Sequence, residues 1–227
     1  MVKVTGVHHL AVMSGDIKSH IAYFSDVLGC KLSAIFDMHG VPGGLHAFMH
    51  MSDDSYFSIV QLPKVDEIPI EIGVTHSGTG AGVSAPGTLQ HLAFKADSED
   101  ELLALRDRIR SRGINVIGPI NHGLCKSIYF AGPDQLTLEV ATSEEEIDAA
   151  KWVDPAVAER AGISADELET YKNPENYAGE GGKVKQPPYD PDKPHQAYPE
   201  EMYQAMIAAP DEVITASASY DKPPVDA

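Results

Sequence analysis

Three residues of metal-ligand type stand at matched places in this chain: His9, His91 and Glu139. His9 opens the run His9-Leu10-Ala11-Val12, which returns 82 positions later as His91-Leu92-Ala93-Phe94. Side chains of an extended strand alternate between its two faces. Leu10 and Val12 therefore share one face, and His9 takes the other. The same parity sets His91 against Leu92 and Phe94, and Glu139 against Leu138 and Val140. It also turns Gln61 inward between Val60 and Leu62, and Tyr129 inward between Ile128 and Phe130. Polar groups that recur on an inner face need partners, because burying them alone is costly. A divalent metal is such a partner. Two imidazoles and one carboxylate, with positions left for water or substrate, suit Fe(II) oxygen chemistry, and Mn(II), Zn(II) or Ni(II) also fit.

The elements that must position these residues are repeated as well. A helix is expected from Asp16 through Ile17, Ile21, Phe24 and Leu28 to Gly29. A second is expected from Ser98, with Glu101 in the capping-box position, to Gly113. After each helix a strand runs to a His-Gly pair, His39-Gly40 and His122-Gly123, 83 positions apart. Two further strands follow in each copy, at 45–51 and 56–62, then at 126–131 and 136–141. The repeated unit is βαβββ. One such unit covers one sheet face with its helix and leaves the other face bare, so two units must pair. The chain is thus expected to be α+β: two βαβββ modules, 4–62 and 89–141, in a half-closed mixed-sheet barrel around the metal. Residues 63–88 read as a long linker, glycine-rich from Gly73 to Gly87.

Residues 1–143 make up that domain, and 144–227 form an acidic, proline-rich extension. Ten of the 16 prolines lie after Glu144. The stretch 186–194 is too rich in proline for a helix interior or a central strand. Short helices flank it: one capped by Asp154-Pro155 and ended by Gly162, one with a Ser164/Glu167 capping box, and one over 199–209. The extension also carries Trp152 and six tyrosines, so it is expected to pack on its own domain or on a second subunit, giving a homodimer. The net charge is −17, with 19 acidic and 7 basic residues from Glu144 onward. That balance argues against nucleic acid or an anionic membrane as partner. Only Cys30 and Cys125 are present, and the start lacks the apolar core of a signal peptide, which predicts a cytoplasmic setting with reduced thiols.

The βαβββ repeat, with His on the first strand of each unit and Glu on the last, resembles the vicinal-oxygen-chelate superfamily over residues 4–143. That superfamily includes glyoxalase I, extradiol ring-cleavage dioxygenases, methylmalonyl-CoA epimerase and antibiotic-resistance proteins. The resemblance implies His9, His91 and Glu139 as metal ligands. It puts Gln61 where glyoxalase-type members keep a further ligand, usually Glu. Residues His122, Ile128-Tyr129, Pro133 and Glu139 resemble the extradiol signature, from which Gly132 and Gln135 depart. By that resemblance His122 and Tyr129 orient a catecholate by hydrogen bonds. The family's distal acid–base His has no fixed counterpart here. Tyr56 aligns near it, and His46, His50 and His76 are the other candidates.

The activity this implies is extradiol-type ring cleavage of a catechol-like aromatic substrate with O₂, assisted by His122 and Tyr129. Tyr56 and His39 are expected beside the substrate, His39 because it is the repeat mate of His122. A glyoxalase- or epimerase-like enzyme using the metal as a Lewis acid is the first alternative, and a non-catalytic binder of an aromatic compound is the second. The other histidines are assigned plain roles: His8 beside the helix, His20 on the helix surface and His195 exposed in the arm.

Overall fold

A computed structural model describes residues 3–225. They form two compact units, one of Gly6–Pro174 and one of residues 3–5 and 175–225. The first unit holds both copies of the repeat. Copy one is β1 (His9–Met13), α1 (Ile17–Leu28), β2 (Lys31–Asp37), β3 (Leu45–Ser52) and β4 (Ser55–Gln61). Copy two is β5 (Leu92–Lys95), α2 (Glu99–Ser111), β6 (Ile117–Asn121), β7 (Lys126–Ala131) and β8 (Thr137–Thr142). The two-module α+β architecture expected from the repeat is the one observed. Each copy makes a four-stranded sheet, in the orders β1-β4-β3-β2 and β5-β8-β7-β6. The first strand of each copy runs parallel to its last, and the other pairs are antiparallel.

Both helices begin where their caps predict. Asp16 accepts from the Lys18 amide, and Ser98 from the Glu101 amide, while Glu101 Oε2 accepts from the Asp97 amide at 3.0 Å. Gly29, at φ 77°, ends α1 in the left-handed conformation that glycine alone adopts freely.

The helices bury one face of each sheet and also join the modules. Phe24 of α1 lies 4.2 Å, ring to ring, from Phe57 on β4 and 6.2 Å from Phe94 on β5. Arg108 of α2 donates to the Asp26 and Val27 carbonyls, satisfying groups left open at the end of α1. Tyr23 donates to the Ala131 carbonyl at 2.7 Å. One hydrophobic core therefore serves both modules. The opposite sheet faces carry His9, His91 and Glu139; Met13 there is 48% exposed and Ile117 67%, whereas Glu139 is 4% exposed.

His20 departs from the expectation of a surface position; it is 1% exposed. The buried stripe of α1 is Ile17, His20, Phe24 and Val27, one step out of phase with the apolar pattern of the sequence. Its Nδ1 lies 2.7 Å from Ser14 Oγ, and its Nε2 is 3.8 Å from Asp134 Oδ2, too far for a hydrogen bond. Burial pushes its pKa below the ordinary 6.5, and the Asp134 carboxylate only partly opposes this. As pH falls below that ordinary value, the unfolded chain takes up a proton that the folded chain refuses. Stability should therefore fall with acidification through this range. Urea titrations of His20→Gln should show a flatter acid limb than wild type; equal slopes would mean that His20 is not responsible.

After β8 come α3 (Ala149–Trp152), α4 (Pro155–Arg160) and α5 (Ala165–Lys172), still within the first unit. Asp154 caps α4, and the Ser164/Glu167 capping box of α5 is complete. The second unit holds α6 (Glu200–Ala208) and α7 (Asp211–Ala218). Neither α3 nor α7 was expected. In the second unit Tyr203 is in ring contact with Tyr189, His195 and Tyr198, and His195 is exposed, as expected. Among the described residues no helix is long and apolar enough to cross a membrane.

Candidate metal centre

Module two carries one half of a site. Glu139 is 4% exposed, between Leu138 and Val140 on β8, whose side chains fill the core. A carboxylate so buried needs a partner. Its Oε2 lies 2.9 Å from Nε2 of His91, which stands just ahead of β5. Two ligand atoms each about 2.1 Å from one ion, and at right angles, lie about 3 Å apart, so this pair fits one edge of a metal's coordination shell. His91 is aimed from behind. Its Nδ1 is hydrogen-bonded to Gln90 Oε1, and Gln90 Nε2 donates to the carbonyls of Thr79 and Gly82 in the linker. A ring that donates through Nδ1 keeps Nε2 for the metal. Tyr129 stands opposite Glu139 in the β7–β8 register, and its hydroxyl lies 2.9 Å from His122 Nε2. Burial and then the Glu139 charge raise the Tyr129 pKa, so the phenol keeps its proton.

Module one carries a different half. His9 lies on β1 with its ring 5.5 Å from Phe48. His46 on β3 shares that face, 4.5 Å from Phe48, with Nε2 2.6 Å from Ser58 Oγ. Its pKa is lowered by burial, then by the nearby His9 and His39, which keeps it neutral. Tyr56 sits between the rings of His8 and His50, 5.8 Å from each. His39 lies in the turn after β2, 5.4 Å from Phe36. His76 belongs to the linker and lines, with His91 and Met13, a cavity of about 620 Å³ between β1, the linker and the start of β8.

Two placements differ from expectation. Gln61 faces the core side, where its Oε1 accepts the Ile17 amide at 2.8 Å and so caps α1. Phe57 and Ile59 are the core positions of β4, which gives Gln61 their parity; Val60 is buried too, and this obscured the alternation. His8 precedes β1, so strand parity does not govern it, and its ring meets His9 at 5.2 Å rather than lying by the helix. Of the acid–base candidates, His46, His50 and Tyr56 lie on the same face of the first sheet as His9, and His76 lies in the linker.

His91 and Glu139 are thus brought together, and His9 stands on the other module's open face. Among the described residues, no group of three or more potential metal-ligating side chains lies within one chain. A pair of βαβββ modules is the fold of one superfamily. The chain belongs to the Glyoxalase/Bleomycin resistance protein/Dioxygenase superfamily, whose family model matches residues 6–140. Solved structures similar in fold include a glyoxylase/bleomycin resistance protein/dioxygenase domain from Frankia sp. EAN1pec. It is 14% identical, with 63% of this chain and 100% of that one covered and a TM-score of 0.49. TnmS3, an antibiotic binding protein from Streptomyces sp. CB03234, is 21% identical (63% and 100% covered, TM-score 0.44). The fosfomycin resistance protein FosX from Listeria monocytogenes is 17% identical (63% and 98% covered, TM-score 0.43). No curated protein matches the chain.

Proposed function

We propose that this protein is an Fe(II)-dependent extradiol-type dioxygenase acting on a catechol-like aromatic compound. His9, His91 and Glu139 hold the metal. The observation that carries the reading is the His122–Tyr129 hydrogen bond beside the His91–Glu139 pair. When bound, Fe(II) supplies a centre where a catecholate's two oxygens and O₂ meet. The protonated Tyr129 hydroxyl donates toward a substrate oxygen, and His122 fixes its direction. His46, held neutral, is the group able to take a catechol proton. Tyr56 and His39 flank the ring. The glyoxalase-like alternative uses Gln61 as a fourth ligand, and its bond to Ile17 argues against that use.

The site needs a second copy of the chain. The two half-sites lie on different modules, and Met13, Ile117 and Ile120 are apolar and exposed on their faces. Module one of one subunit laid over module two of another unites His9 with His91 and Glu139, twice per homodimer. Residues 1–143 form the catalytic domain in this reading, and 144–227 an extension.

Anaerobic reconstitution with Fe(II), followed by a panel of catechols and O₂, tests the reaction. The expected result is one O₂ consumed per catechol, with the absorbance of a ring-opened product. Tight metal binding without O₂ uptake for any catechol would leave a binder or an isomerase instead.

A further inference from the structure

We propose that Trp152, outside the repeat, is a positioning residue that holds His122 through Gly123. This rests on the role just given to the His122–Tyr129 pair. Residues 122–125 turn the chain from β6 into β7. The His122 amide donates to the Cys125 carbonyl at 2.9 Å, and the Gly123 amide to Asn121 Oδ1 at 2.8 Å. Gly123 has φ 86°, a left-handed conformation that favours glycine. A Cβ added there would meet Cη2 of Trp152 at 2.6 Å, so the six-membered ring is seated directly on the glycine backbone.

The repeat supplies an internal control. Gly40 is the counterpart of Gly123 and has φ 73°, yet a Cβ added to it would meet nothing within 4 Å. Turn conformation accounts for both glycines; only the second has a ring resting on it. Trp152 is itself tethered. It ends α3, whose Asp148 cap accepts the Ala150 amide, and the preceding segment is tied to β7 by Lys126 Nζ–Glu144 at 3.1 Å. The turn is thus pressed from outside while Tyr129 is fixed from within by its β8 neighbour. His122 bridges the two, and a hydrogen bond of 2.9 Å is lost with a shift of less than an ångström.

Trp152 is the sole tryptophan, so its emission reports on this contact alone. In the full-length protein, Gly123→Ala should shift that emission to the red, while Gly40→Ala, which meets the same backbone strain, should leave it unchanged. Ring-nitrogen NMR of His122 should change from a hydrogen-bonded pattern to an averaged one in Trp152→Ala and recover in Trp152→Phe. If the wild type turns over a catechol, Trp152→Ala should lower kcat roughly tenfold with little change in KM. Equal emission in the two glycine variants, or unchanged His122 signals in a folded Trp152→Ala, would overturn the proposal. The emission and NMR readouts need no turnover. A wild type inactive on every catechol would therefore remove the ring-cleavage reading and leave the positioning role to stand or fall on its own result.

Discussion

His9→Ala and His91→Ala proteins, each unable to hold stoichiometric metal alone, should regain about a quarter of wild-type metal when their subunits are mixed and exchanged. The reasoning is geometric. In a mixed dimer one composite site carries both substitutions and the other carries neither. Random reassortment makes half of the dimers mixed, and half of their sites are intact. A site closed within one chain cannot be rescued this way, because every chain has lost one ligand. Metal content after gel filtration, read against unmixed controls, decides the matter. Recovery near zero would defeat the shared-site arrangement while leaving the ligand assignment to the single variants. Retained metal in His91→Ala alone would defeat the assignment itself.

The second large effect concerns stability. Phe24→Ala should cost about 3–5 kcal/mol, the usual range for emptying a fully buried aromatic position. Phe24 is completely buried and touches rings from both sheets, Phe57 and Phe94, so its removal opens a void at the junction of the modules. Urea unfolding should show a lower midpoint by circular dichroism. A loss below about 1 kcal/mol would mean that the core closes over the gap and that the modules do not depend on this ring.

Much of the site could be read from the sequence where alternation was clean. Glu139 and Tyr129 are flanked by residues that pack into the core, such as Leu138 and Val140, and their faces followed from parity; His91 stands just ahead of β5, outside its alternation. Gln61 was misread because β4 is apolar on both faces: Phe57 and Ile59 on one, a buried Val60 on the other. The phase of α1 was misjudged because Ile21 and Leu28 are apolar yet only half-buried, while His20 takes a core position by bonding to Ser14. The way the modules meet was not legible at all. Phe24 and Phe94 lie 70 positions apart, and no local period relates them. Helix α7 did carry a signal, Pro210 followed by Asp211 and Glu212 in its first turn, but no hydroxyl or carboxylate cap preceded it.

The single amide of Gln90 joins the His91 ring to two carbonyls of the glycine-rich linker. Whatever stiffens one end stiffens the other. A change at Thr79 or Gly82 that moved those carbonyls would rotate the His91 ring, which it never touches. On the ligand assignment proposed above, the linker is thus an evolutionary tuning screw: drift in it would alter the grip on the ion while every ligand stayed the same.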